Sequence, residues 1–177
     1  MKTYNAIEVA QWLLAEAQNQ NLTITPMQLQ KILYYCQGEY IGMTGHPLFF
    51  DDIEAWEHGP VTPSVYREYR AYGRDPITPT PCKIPEDLEG FIRHCIREKG
   101  SLSAYQLRKA THNESPYMTT RLNHVITIDK LKEFFVKEMY GPDEEDIYVP
   151  DYTAEQAIEK AASFFTEDEL NDLISTL

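Results

Sequence analysis

Helix start signals recur along this chain, and each precedes apolar residues at helical spacing. Asn5 with Glu8 and Thr25 with Gln28 have the spacing of capping boxes, in which two side chains bond each other's backbone N–H groups at a helix start. Pro26 adds a proline at the first helical position, where its missing N–H costs nothing. Further starts of this kind occur at Thr62-Pro63, Ser101–Ser103 and Ser115-Pro116. The pattern predicts a compact domain of short amphipathic helices.

Helical periodicity breaks over residues 48–56. Ile53 and Ala55 alternate there with Glu54 and Trp56, which indicates a short strand or one arm of a β-hairpin. The Gly-Pro pair in residues 56–61 predicts that a turn ends this extended segment, because proline has no N–H for a ladder. The expected fold class is therefore mainly α, of the α+β type, with a small β-hairpin.

The charge of the chain is concentrated at one end. The 177 residues have a formal net charge of −12, but residues 1–140 carry only −2 of it. Residues 141–177 hold eleven acidic side chains against Lys160, a net charge of −10, and begin with the helix breaker Gly141-Pro142. We therefore expect a domain at 1–140 and an acidic C-terminal helical extension at 141–177. The extension is either a solvated linker or a segment that attracts a basic partner.

Composition and motifs exclude several classes of function. An acidic protein is a poor binder of phosphate backbones, so nucleic acid is not an expected partner even though residues 101–121 could form a helix-turn-helix. The three cysteines and five histidines show neither CxxC nor HExxH spacing, so no metal or other cofactor is expected. No window has the length of apolar sequence that spans a membrane, and the polar start lacks a signal h-region, so a cytoplasmic location without membrane contact is expected.

Three carboxylates near the predicted hairpin leave one enzymatic alternative open. Asp51, Asp52 and Glu54 lie within four residues, and carboxylates of this kind could hold a divalent metal in a hydrolase. The sequence contains no GxSxG, phosphate-binding loop or other catalytic motif that would support it. A metal-dependent hydrolase is therefore the less favoured hypothesis.

Four ordered motifs resemble one family. Residues 29–38, Leu-Gln-Lys-Ile-Leu-Tyr-Tyr-Cys-Gln-Gly, are similar to the "LQKLLYYAQG" signature of the SocA-like antitoxin family, also called Panacea domains or GepA-like phage-associated proteins. Residues 53–61 resemble the family's "IEAWxxGPV". They are preceded by Gly-His-Pro-Leu-Phe at 45–49 and followed by Pro63, Val65, Tyr66 and Tyr69. Residues 107–117 resemble "LxxxTHxexPW", with Tyr117 where the family usually has tryptophan. The resemblance does not extend to the acidic segment.

The resemblance implies a non-enzymatic function. Members of this family are similar in fold, a compact helical domain with a small hairpin. They typically serve as the antitoxin of a toxin–antitoxin pair that binds and neutralises a protein toxin, without cofactor or turnover. In one branch the antitoxin also acts as an adaptor that presents its toxin to a protease. The hypotheses are therefore a type II-like antitoxin with a cognate protein toxin as its partner, or a proteolytic adaptor with a protease as a second partner.

The candidate partner-binding residues follow from the two aromatic motifs. The first motif places a large ring and a rigid backbone at the end of an element, where binding residues are common, and the second supplies a possible second wall of the same cleft. The alternative is a packing turn and a helix–helix junction with no binding role. The candidates are Trp56, His58, Gly59, Pro60, Tyr66, His112, Pro116 and Tyr117.

Overall fold

Seven α-helices and one two-stranded antiparallel sheet form within residues 2–141, the part of the chain that this computed structural model describes. The predicted mainly helical fold with a small hairpin is confirmed. The acidic segment from residue 142 on, with its predicted helices, lies outside the described residues. In chain order the elements are α1 (Ala6–Asn19), α2 (Pro26–Thr44), β1 (Glu54–Trp56), β2 (Gly59–Val61), α3 (Pro63–Tyr69), α4 (Glu89–Lys99), α5 (Ala104–His112), α6 (Ser115–Met118) and α7 (Ile128–Tyr140), with 3₁₀ turns at Arg70–Tyr72 and Glu86–Leu88.

Most of the predicted helix ends are present. The capping boxes at the starts of α1 and α2 form both of their hydrogen bonds. Helix α2 ends at Gly45, whose φ of 75° is the left-handed conformation that favours glycine at this position. Two predicted caps differ: Thr62 precedes α3 without a side-chain capping bond, and α6 begins at Ser115 with Glu114, not Ser115, as its N-cap. The carboxyl of Glu114 bonds a tyrosine of α2 instead.

Helix α2 is the centre of the fold. It packs against α1, α3, α4, α5, α7 and β2, and every residue from 29 to 38 is buried. A helix buried on all sides is usually apolar all round. The apolar residues of α2 are in the core as predicted, but Gln30, Lys31 and Gln37 are buried as well. Their burial requires partners for their polar atoms.

These three polar side chains bond the backbone of the irregular segment 48–62. The Gln37 amide oxygen accepts from the N–H groups of Leu48 at 3.0 Å and Phe49 at 3.1 Å, and its NH₂ donates to the Phe49 carbonyl at 2.8 Å. The Gln30 amide oxygen accepts from the Thr62 N–H at 2.7 Å. Lys31 Nζ donates to the Pro60 carbonyl at 2.8 Å. Helix α2 thus supplies hydrogen bonds that a neighbouring strand would otherwise provide.

The hairpin differs from the prediction at its second arm. Glu57 and His58 form the turn, and the Gly59-Pro60 pair lies in β2, with Ala55 opposite Pro60. The prediction that Gly-Pro ends the extended segment is therefore wrong. The Ala55 N–H and carbonyl bond His124 and Asn123, on the side of β1 away from β2, so no ladder bond requires the N–H that Pro60 lacks.

Candidate functional site

The two predicted groups of site residues meet in the structure. The Tyr117 hydroxyl donates to the Trp56 carbonyl at 2.7 Å, and His112 Nε2 lies 3.1 Å from the Glu57 carbonyl oxygen. The rings of His112 and Tyr117 pack with their centroids 4.4 Å apart. The segment from α5 to α6 is therefore bonded directly to the first arm and turn of the hairpin. Tyrosine at 117 makes this bond through a hydroxyl that the family's usual tryptophan lacks.

Trp56 and Tyr66 form an aromatic pair on the outer side of the hairpin. Their rings meet edge to face, with centroids 5.1 Å apart and planes at 66°. The Trp56 indole N–H donates to the Glu54 carboxylate at 2.8 Å, which fixes the ring. Tyr66 remains 40% exposed. Large rings held in this way present contact area at little cost in conformational entropy.

Three more exposed apolar side chains lie on segments that bond to β1. Val125 forms an isolated antiparallel bridge with Glu54. Leu122 comes just before Asn123, whose N–H donates to the Ala55 carbonyl, and Met118 comes just after Tyr117. The sequence interpretation missed these three residues, because Met118 ends a helix of one turn and Leu122 and Val125 lie in a loop, so none of them belongs to a periodic apolar pattern. We define the hairpin surface as the five side chains Trp56, Tyr66, Met118, Leu122 and Val125.

The other predicted site residues occupy different depths. His58 is exposed at the turn, and His112 and Tyr117 are half-buried. Three candidates, Gly59, Pro60 and Pro116, are buried beneath the surface. Gly59 has a φ of +100°, and a Cβ there would lie 2.9 Å from Lys31 Cε and 3.1 Å from Thr111 Oγ1. A side chain at this position would therefore be strained and would push β2 away from α2 and α5.

Lys31 supports β2 from below. The side chain is almost fully buried, with 1% of the residue exposed, and one carbonyl, that of Pro60, accepts from it at 2.8 Å. Burial and, to a smaller extent, the nearby Arg108 guanidinium lower the pKa of Lys31 to about 7. The sequence did contain a signal for this site: a lysine between apolar residues on a helix predicted to lie in the core. It was missed because only the apolar residues of that helix were used to predict the core.

The buried lysine makes stability depend on pH. Between the ordinary lysine pKa of 10.5 and the folded value of about 7, the unfolded chain binds more protons than the folded protein, so stability rises with pH over this window. From pH 7 to 9 we expect Lys31 to add about 2 kcal/mol to the free energy of unfolding. Urea unfolding at both pH values should show this gain in the wild type and in Lys109→Met, which alters an exposed lysine. Lys31→Met should lack it, and an equal gain in that variant would contradict the assignment.

The carboxylates of the hydrolase hypothesis bind backbone and side-chain donors in the structure. Asp51 accepts from the Ala6 N–H at 2.8 Å and from the Ser64 hydroxyl at 2.5 Å, and Glu54 accepts from Trp56. Asp52 is exposed. Within residues 2–141, no three His, Cys, Asp or Glu side chains are grouped to hold a metal ion. Across the same residues, no helix combines the length and apolarity needed to cross a membrane.

Comparison with known proteins identifies the family. The family model described as "Antitoxin SocA-like, Panacea domain" matches residues 29–117, which is half of the chain. The chain belongs to this Panacea family. Antitoxin SocA of Caulobacter vibrioides (strain NA1000 / CB15N) is 30% identical to it over 125 residues, which cover 63% of this chain and 66% of that relative. No solved structure matches the chain.

The Panacea match has a structural counterpart. It begins at the buried part of α2, continues through the hairpin and ends at Tyr117, which bonds Trp56. The matched region therefore contains α2, the hairpin that α2 supports and the α5–α6 segment packed on the hairpin. Helix α7 and the exposed loop residues Leu122 and Val125 lie beyond it.

Proposed function

We propose that this Panacea protein is the antitoxin of a type II-like toxin–antitoxin pair and neutralises its cognate protein toxin by direct, stoichiometric binding. Membership of the family and the similarity to Antitoxin SocA support the class of function. The observation that carries the proposal is the hairpin surface, where an ordered aromatic pair and exposed apolar side chains adjoin a hydrogen-bonded backbone. The proposed mechanism uses no cofactor and no turnover.

The physical basis is that of a binding hot spot. Tryptophan and tyrosine dominate the energetics of many protein interfaces, where truncation of one central ring costs about 2 kcal/mol or more. Because the hydrogen bonds of Trp56 and Tyr117 already fix the hairpin, binding would order few additional side chains. The buried residues Gly59, Pro60 and Pro116 would act by holding this surface in shape.

The test compares two exposed tyrosines. The toxin is sought as the product of the neighbouring gene. We expect Tyr66→Ala to weaken binding to it by about thirtyfold, which corresponds to about 2 kcal/mol of binding free energy. Tyr105→Ala, which removes a tyrosine that is 71% exposed on α5, should bind as the wild type does. The measurements are calorimetric affinity and rescue of growth in cells that express the toxin. The proposal would be contradicted if the protein bound no product of the neighbouring genes and did not rescue growth.

The adaptor hypothesis predicts a different result in the same cells. Sequestration leaves the toxin intact in a complex of fixed stoichiometry, which native mass spectrometry would weigh. An adaptor shortens the half-life of the toxin, and a protease subunit accompanies the complex in amounts below stoichiometry. Toxin half-life with and without this protein therefore separates the two mechanisms.

A further inference from the structure

A cleft of about 380 Å³ lies between α2, α4 and α7 and shares no residue with the hairpin surface. Its size is within the range of sites that enclose a ligand or a side chain of a partner. The apolar part of its lining consists of Met43, Phe91, Phe134, Phe135 and Met139. Aromatic faces attract cations, and flexible thioethers adapt their shape to an incoming group.

Acidic side chains provide most of the polar lining. Glu39 lies 3.5 Å from Lys99 Nζ and 3.9 Å from His94 Nε2, so one ammonium and one imidazole face its carboxylate. The ammonium of Lys99 also lies 5.0 Å from the centre of the Tyr35 ring. The cleft wall therefore already accommodates one cation against an aromatic face. Glu138 is exposed at the rim of the cleft.

Glu114 is the carboxylate with unused capacity. Its Oε1 accepts from the Tyr35 hydroxyl at 2.6 Å, and its buried Oε2 has the buried Tyr34 hydroxyl as a neighbour, although neither of these two atoms makes a well-formed hydrogen bond among the described residues. No Lys or Arg of the described chain forms an ion pair with it. Burial raises the pKa of Glu114 despite the opposing effect of the neighbouring Tyr35 and Tyr34 hydroxyls and of Lys99, and the Glu138 carboxylate adds to the rise. Each oxygen of an ionised carboxylate has two lone-pair sites, so Glu114 can accept from a cationic donor in addition to the two tyrosines.

We propose that this cleft receives an arginine side chain of the protein partner, with its guanidinium on Glu114 and its stem against Phe134 and Phe135; this rests on the proposed function. Arginine fits because its planar fork bonds carboxylates, stacks on aromatic rings and is weakly hydrated.

Methionine methyl groups provide a direct test on the full-length chain. The protein has five methionines, of which Met43 and Met139 line the cleft while Met27 and Met118 are exposed elsewhere. We expect the peptide acetyl-Leu-Arg-Leu-amide to shift the ¹³C-methyl NMR signals of Met43 and Met139 and to leave those of Met27 and Met118 unchanged. The same peptide with citrulline, which keeps the shape but lacks the charge, should shift them at least about tenfold less readily.

Two matched variants identify the carboxylate. Glu114→Gln keeps an acceptor for the Tyr35 hydroxyl and should weaken arginine-peptide binding about tenfold. Glu133→Gln makes the same change at an exposed, ion-paired position of α7 outside the cleft and should bind as the wild type does. Unshifted Met43 and Met139 signals in the free variants show that the cleft is intact. Equal binding of the arginine and citrulline peptides, or no response at Met43 and Met139, would overturn the proposal.

The experiment needs no toxin, so its outcome is independent of the growth rescue. If the arginine peptide binds and no toxin is neutralised, the cleft is a cation site in a protein of another function. If the toxin is neutralised and the peptide has no effect on Met43 and Met139, the antitoxin proposal stands and the cleft proposal fails.

Discussion

Gln37→Leu is expected to lower the free energy of unfolding by about 3–5 kcal/mol. The Gln37 amide bonds three backbone groups of residues 48 and 49, all of them buried. Leucine fills a similar volume but leaves two N–H groups and one carbonyl without a partner, at about 1–3 kcal/mol each before relaxation. The added apolar area offsets part of this loss.

Urea unfolding followed by circular dichroism measures the effect. Gln18→Leu is the matched control, because it makes the same change at an exposed position of α1 and should leave stability within about 0.5 kcal/mol of the wild type. A loss below about 1 kcal/mol in Gln37→Leu would mean that water or the segment itself replaces the lost bonds. The role of α2 as the hydrogen-bond donor and acceptor for the hairpin region would then be refuted.

Local signals in the sequence predicted most of the helical fold. The boxes at Asn5 and Thr25, the stop at Gly45 and the break at Gly141 act within one turn of the chain, so a sequence pattern suffices to locate them. The Gly-Pro pair in β2 could not be placed in this way. Its effect depends on which side of β1 carries the hydrogen bonds, and that side is set by residues 123 and 124, far away in the sequence.

The candidate site shows the same division between local and tertiary information. Trp56, Tyr66, His112 and Tyr117 are exposed or half-buried and lie together, as the two motifs suggested. Their role in binding stays a prediction. Lys31 and the residues of the cleft were not proposed as site residues. A sequence pattern predicts an exposed position for a lysine or glutamate, and the burial of these side chains arises only from the packing of α4, α5 and α7 around α2.

The α5–α6 segment connects the two surfaces. His112 and Tyr117 contact the hairpin, whereas Glu114 between them points into the cleft and bonds Tyr35 of α2. A partner that contacts both surfaces would therefore hold one continuous segment from two sides.

Gly38→Ala tests how closely α7 must approach α2 to form the cleft. A Cβ at Gly38 would lie 2.0 Å from Phe135 Cε2, and the buried Phe135 ring also packs on Tyr34 with centroids 5.6 Å apart. Helix α7 must therefore move away or Phe135 must leave its site. We expect a net loss of about 2 kcal/mol in the free energy of unfolding, since overpacking exceeds the roughly 1 kcal/mol that alanine adds in a helix.

The outcome at Gly42, one turn further along the same face of α2, separates overpacking from a general effect of alanine. A Cβ there would meet the flexible Met139 sulfur at 3.1 Å and the Phe135 carbonyl at 3.2 Å, so Gly42→Ala should change stability by less than about 1 kcal/mol. Adding Phe135→Leu to Gly38→Ala should recover part of the loss, because the smaller side chain makes room for the methyl group. Equal stability losses in the two alanine variants would mean that the contact of α2 with α7 is looser than the geometry indicates.

Gly38→Ala should also change the cleft. Because the displaced Phe135 ring forms one of its walls, the methyl signals of Met43 and Met139 should shift in this variant without any peptide.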